Sequence, residues 1–165
     1  ARRGPRQGQD VALEELQELA RLWELGADRI EAAAADVPRA ARVRYQRECT
    51  LVRFLALTWR SAARVEEFLR LRNVVLEHSG RLWVRAGHVT ENLRDVARME
   101  LLARDELATA KQALALVQGV DFLDLSLRLD MGTASTQQLL TAKVAQVDNL
   151  LTYRIPAWQQ QLQTW

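Results

Sequence analysis

The sequence is poor in the residues that do local chemistry. It has one cysteine, two histidines, three prolines and seven glycines in 165 residues. One thiol excludes an internal disulfide framework. Two histidines and one cysteine, far apart in sequence, argue against a structural zinc site. No stretch of about 18 uncharged apolar residues occurs, which excludes a membrane-spanning helix. No glycine-rich loop follows a strand, so phosphate-cradling nucleotide loops are absent. The Glu-x-x-His pairs of di-iron bundles are missing too. Lysine is scarce: Lys111 and Lys143 stand against 21 arginines, out of 23 basic residues. A GC-rich coding bias accounts for that imbalance, and so does bidentate recognition of phosphate or carboxylate, which guanidinium does better than ammonium.

What is present is apolar and charged. The chain is 48% hydrophobic and 27% charged with a net charge of +2, enough to bury a core and to exclude global disorder. Charge is segmented. Residues 10–36 carry eight acidic and two basic side chains; residues 37–77 carry nine Arg against four Glu. Adjacent blocks of opposite sign predict two helices paired antiparallel, with each exposed pair contributing about 0.2–1 kcal/mol. The Arg block could instead meet an anionic partner, nucleic acid or a membrane surface, through Arg39, Arg42, Arg44, Arg47, Arg53, Arg60 and Arg64.

Periodicity predicts an all-α chain. Residues 1–9 have no apolar pattern and read as a flexible basic arm; residues 10–165 read as one helical bundle domain. Asp10 is the expected N-cap of helix one. Its stripe runs Leu13, Leu16, Ala20, Trp23, Ala27, Ile30, Ala34, limited by Pro38. Gly26 inside it costs about 1 kcal/mol relative to Ala, unless it permits close helix packing. Helix two is expected from about 39 to 77, with the stripe Leu51, Leu55, Thr58, Ala62, Val65, Leu69, Leu76. Helix three, capped near Thr90, presents Leu93, Val96, Met99, Ala103, Leu107, Ala110, Leu114 and Val117, and Gly119 ends it. Residues 121–131 fit both periods; in a helical chain a short helix or packed connector is the favoured reading. The last helix runs from about Ser135 along Leu140, Val144, Val147, Leu151, Ile155, Trp158 and Leu162, and Pro156 should kink it. Together these predict an elongated antiparallel bundle of about four long helices plus one short segment, with coiled-coil-like packing.

No catalytic pattern emerges. Cys49 reads as a small buried hydrophobe, His78 and His88 as helix-end residues, and the Glu14-Glu15-Glu18 and Glu66-Glu67 clusters as solvated faces. Nothing pairs a nucleophile with a base, so the expected function is non-enzymatic, with no cofactor and no small-molecule substrate evident. Trp23 and Trp158 fall on apolar stripes, Trp59 sits one position off its stripe at the edge of a surface, and Trp165 should be mobile unless a partner docks there.

The last helix contains Ile155-Pro156-x-Trp158-x-x-Gln161. This element resembles the Ile-Pro-x-Trp-x-x-Gln stretch of the TelA-type toxic-anion (tellurite) resistance family, over about 20–25 residues. The resemblance implies a bacterial helical protein, cytoplasmic or membrane-associated, in a stress response to tellurite and related anions. It implies no activity. In that reading Pro156 kinks the helix and Trp158 anchors it, and one thiol is too few for a reductase dithiol. The leading expectation is a helical scaffold or adaptor working through helix–helix contacts, with a protein partner or a second copy. The runner-up is an Arg-rich module on an anionic surface.

Overall fold

A computed structural model describes residues 5–79, 87–120, 123, 127–129 and 132–164. The chain is all-α, an array of long helices packed against one another: α1 (Pro5–Ala32), α2 (Arg42–Ser79), α3 (Val89–Val117), and a last helix in two parts, α4 (Thr136–Asn149) and α5 (Ile155–Gln163). α2 is unbroken over 38 residues, about 57 Å at 1.5 Å per residue.

Several helix ends fall elsewhere than expected. α1 begins at Pro5, so part of the expected arm is helical and Asp10 is not an N-cap; residues 1–4 and Trp165 lie outside the described residues. The Asp10 carboxylate instead accepts a hydrogen bond from Arg70 of α2. α1 stops at Ala32 and continues as a 3-10 turn over Ala33–Asp36. α3 begins at Val89 after His88, without a side-chain cap, so Thr90 sits inside the first turn. At its other end Gly119 takes φ +75°, the left-handed conformation in which glycine carries no Cβ penalty.

Of the connector 121–131, residues 121, 122, 124–126, 130 and 131 lie outside the described residues, and 127–129 depart from the favoured helical reading. Leu127–Leu129 is a strand, antiparallel to Gly132–Ala134, with Leu127 opposite Ala134 and Leu129 opposite Gly132. The chain supplies its own partner strand, so the backbone groups of Leu127–Leu129 are paired on that side. Ser135 then starts α4 with a reciprocal capping box: its Oγ accepts the Gln138 N–H at 3.1 Å, and Gln138 Oε1 accepts the Ser135 N–H at 2.9 Å.

The last helix passes Pro156 without ending. Leu150–Arg154 forms a π turn in which the Ile155 N–H reaches the Leu150 carbonyl. Proline lacks an N–H and crowds the preceding turn, and the wider π turn absorbs both. Ile155 is thereby delivered to the centre of the core at 0% exposure, with Val96, Met99, Ala103 and Leu162. Phe68, Leu71 and Val75 of α2 close that core from the other side.

α1 packs along α2, α2 along α3, and α3 along α4 and α5. The α1–α2 seam is built from alanine. Ala20 and Ala27 on α1, and Ala56 and Ala63 on α2, are all buried at seven-residue spacing. Glu24 meets Arg60, and Arg53 meets Glu31 one heptad along each helix. That antiparallel register sets Ala20 opposite Ala63 and Ala27 opposite Ala56. The opposite-sign charge blocks therefore pair as their sequence predicts.

A Cβ on Gly26 would meet nothing within 4 Å, so close packing is not its role. Gly26→Ala should raise stability by about 0.5–1 kcal/mol, read from the midpoint of chemical unfolding. Ile155→Ala should lower it by about 3–4 kcal/mol, because the site is fully enclosed and cannot collapse cheaply.

Candidate interaction surface

The residues of the Ile-Pro-x-Trp-x-x-Gln element divide between core and rim. Ile155 is buried, Trp158 is half-buried against the same core, and Pro156 and Gln161 are exposed. Trp158 and Gln161 line a cavity of about 140 Å³ with Arg72, Val75, Leu76, Met99 and Leu162. The neighbouring Gln159 donates to Glu100 Oε2 of α3 at 2.9 Å. The element thus holds the last helix to α2 and α3.

The seven arginines divide as well. Arg53 is clamped by Glu31 at 2.6 Å and Asp28 at 2.8 Å, and hydrogen bonds to Glu31 and then Asp28 hold its guanidinium still more firmly charged. Arg60 pairs with Glu24. Arg64 donates to the Asp105 carbonyl at 2.9 Å and to Thr109 Oγ1. These three arginines are tied to α1 and α3. Arg39, Arg42, Arg44 and Arg47 are exposed near the start of α2, with Arg44 only 3.9 Å from Glu48. The structure does not gather all seven on one surface.

Two polar clusters bring together residues that sequence spacing did not connect. Glu106 of α3 is 5% exposed. Its Oε1 lies 2.5 Å from Lys143 Nζ of α4 and accepts from Ser61 Oγ of α2 at 2.7 Å. Lys143 also donates to Ser61 Oγ, so one ion pair ties three helices. At the other end of α2, His78 and His88 stack with ring centroids 4.1 Å apart. His78 Nδ1 donates to the buried Asn92 Oδ1 at 3.0 Å and His88 Nδ1 to Glu91 Oε2 at 2.6 Å. That hydrogen bond from His88 holds the Glu91 carboxyl below its usual value. His78, His88 and Glu91 are the one group among the described residues with ligand atoms close enough to share a metal ion. Cys49 is free and half-buried.

The largest departure from expectation concerns α2. Its predicted core stripe is only partly buried. Thr58 is exposed, Leu51, Val65 and Leu76 are 36%, 40% and 60% exposed, and Leu55, Ala62 and Leu69 are only half-buried. The buried residues of α2 are Ala56, Leu57 and Ala63. Alanines carry the α1 seam, while Phe68, Leu71 and Val75 face the core with α3 and the last helix. The larger apolar side chains of the 51–76 stripe stay partly exposed, with Val65 and Leu76 at the border with the last helix, beside Val147 and Leu150 and beside Trp158 and Leu162. Val11, Leu22 and Leu25 of α1 are also 37–49% exposed, but acidic side chains interrupt them, whereas the α2 stripe holds a regular three–four spacing from Leu51 to Leu69, with Arg72 in the next place before Leu76.

Comparison with family models, with curated proteins and with solved structures finds no significant match to this chain.

Lys143→Met should destabilise the fold by about 3 kcal/mol, because it strands the Glu106 carboxylate in the interior. Glu106→Leu combined with Lys143→Met should recover most of that loss. Thermal or urea unfolding of the single and double variants checks both outcomes.

Proposed function

We propose that the chain is a non-enzymatic helical scaffold that works through helix–helix contact, and that the exposed stripe of α2 is its contact surface. The observation that carries this reading is the stripe itself, Leu51 to Leu76. An ordered apolar line at coiled-coil spacing on an outer helix face is an unfinished packing surface. The partner is a helical protein face, either another protein or a second copy of this chain. Among the described residues no helix is long and apolar enough to cross a membrane, and the cytoplasm is the compartment proposed for it. Toxic-anion resistance is the process suggested by Ile155, Pro156, Trp158 and Gln161; that element is its support, and growth of the host on graded tellurite with the gene deleted tests it.

A second reading rests on Arg39, Arg42, Arg44 and Arg47, which cluster exposed at the start of α2. These side chains add to the positive end of the helix dipole and would suit an anionic polymer or lipid surface. Arg53, Arg60 and Arg64 weaken this reading because acidic or polar groups of α1 and α3 already engage them.

The two readings respond differently to salt. Binding to nucleic acid or anionic vesicles should fall steeply between 0.05 and 0.2 M salt, roughly tenfold or more per few phosphate contacts. Contact through the α2 stripe should persist. A photo-cross-linking amino acid at position 55 or 69, introduced in the native host, should give a protein adduct, and one at exposed Arg94 of α3 should not. Absence of any adduct from the stripe would overturn the scaffold reading.

A further inference from the structure

We propose that the open face of α2 docks on the same face of a second copy, antiparallel, with Glu48 of each chain against Arg72 of the other. This inference rests on the contact role argued above and names the partner.

The stripe is a heptad seam. Glu48, Leu55, Ala62 and Leu69 occupy one position of the repeat, and Leu51, Thr58, Val65 and Arg72 the other. An antiparallel seam sets one class opposite the other, so registers can differ only by whole heptads. One register pairs Leu51 with Leu69, Leu55 with Val65, and Thr58 with Ala62, each twice around a central two-fold axis. The same register brings Glu48 against Arg72 at both ends. Sliding by one heptad in one direction sets Glu48 against Val65; in the other it sets Arg72 against Leu55. Either slip breaks both Glu48–Arg72 pairs. This register alone matches both of those end charges, with Arg44 falling opposite Leu76 beyond them, and it is two-fold symmetric. The smallest residues, Thr58 and Ala62, fall at its centre, where the helices can approach most closely. From Glu48 to Arg72 it spans about 36 Å.

The terminal residues carry independent signs of an absent partner. Arg72 borders the chain's own cavity beside Trp158, where its Nε is buried without an acceptor, and its Nη2 meets the adjacent Asn73 amide oxygen at 3.2 Å. A buried donor left unsatisfied is costly, and a carboxylate against the guanidinium relieves it. Glu48, 56% exposed, has a loose 3.9 Å pairing with Arg44 on its own helix. Each charge is therefore incompletely matched at the position where this register meets its opposite.

The experiment is sedimentation equilibrium of the full chain at micromolar concentrations, together with disulfide mapping in a Cys49→Ser background. The wild type should dimerise. Glu48→Arg and Arg72→Glu should each weaken the dimer about tenfold, since each reverses two contacts, and the double reversal should restore it to within about threefold. Mixing Leu55→Cys chains with Val65→Cys chains should give a mixed disulfide dimer, and neither variant alone should cross-link. Circular dichroism melting of each variant confirms that the monomer fold is intact; the mixed disulfide decides the register without any charge reversal. A monomer at 100 μM overturns the proposal, as does a dimer indifferent to position 55 or 65. If the chain is monomeric yet the cellular cross-link at position 55 captures another protein, the scaffold reading stands and the second copy fails. If neither occurs, both fail.

Discussion

One helix serves as neighbour to nearly all the others, and a helix has a limited circumference. α2 gives its alanine line to α1 and Phe68, Leu71 and Val75 to the core shared with α3 and the last helix. Each assignment uses side chains suited to it. Alanines bring α1 close enough for the Arg53 and Arg60 ion pairs to form across the seam. Larger residues fill the volume where three helices converge. What remains of the circumference carries leucine and valine that stay partly exposed.

The register of this array is held by polar contacts more than by apolar ones. Apolar surfaces can slide by a heptad with little loss, whereas Glu106 can be neutralised in only one position. Its carboxylate is buried where Lys143 and Ser61 reach it from two different helices. Such a node contributes little net stability over an apolar substitute but penalises every misalignment. The clamp of Arg53 on Asp28 and Glu31 does the same at the wet edge of the α1–α2 seam, more weakly because solvent screens it.

Much of this was legible in the sequence. The stripe of α3 is buried or half-buried throughout, and those of α1 and the last helix are too apart from exposed Ala34, which falls in the 3-10 turn, because each of those helices has one main apolar side. The antiparallel pairing of α1 and α2 followed from charge. α2 defeated the same logic because it has more than one buried side, and its largest apolar residues outweigh alanine in any count of hydrophobic positions. The strand at Leu127–Leu129 is not the favoured reading of the sequence because its partner, Gly132–Ala134, has no strand pattern of its own. The His78–His88 stack needed knowledge of how α2 and α3 meet. No local spacing between those residues encodes it.

The π turn before Pro156 has a consequence for how this helix tolerates change. A π turn is an α-helix that has accommodated one additional residue, and it confines the disturbance to a single loop of backbone. Upstream, Val147 keeps its place against α3; downstream, Ile155, Trp158 and Leu162 face the same core. Without the wider turn, the residues after the proline would be rotated by about 100°, carrying Trp158 toward solvent. The proline and the irregular turn are therefore mutually dependent. The phase of everything after residue 154 is stored in the length of that one turn, and not in the composition of the helix that follows.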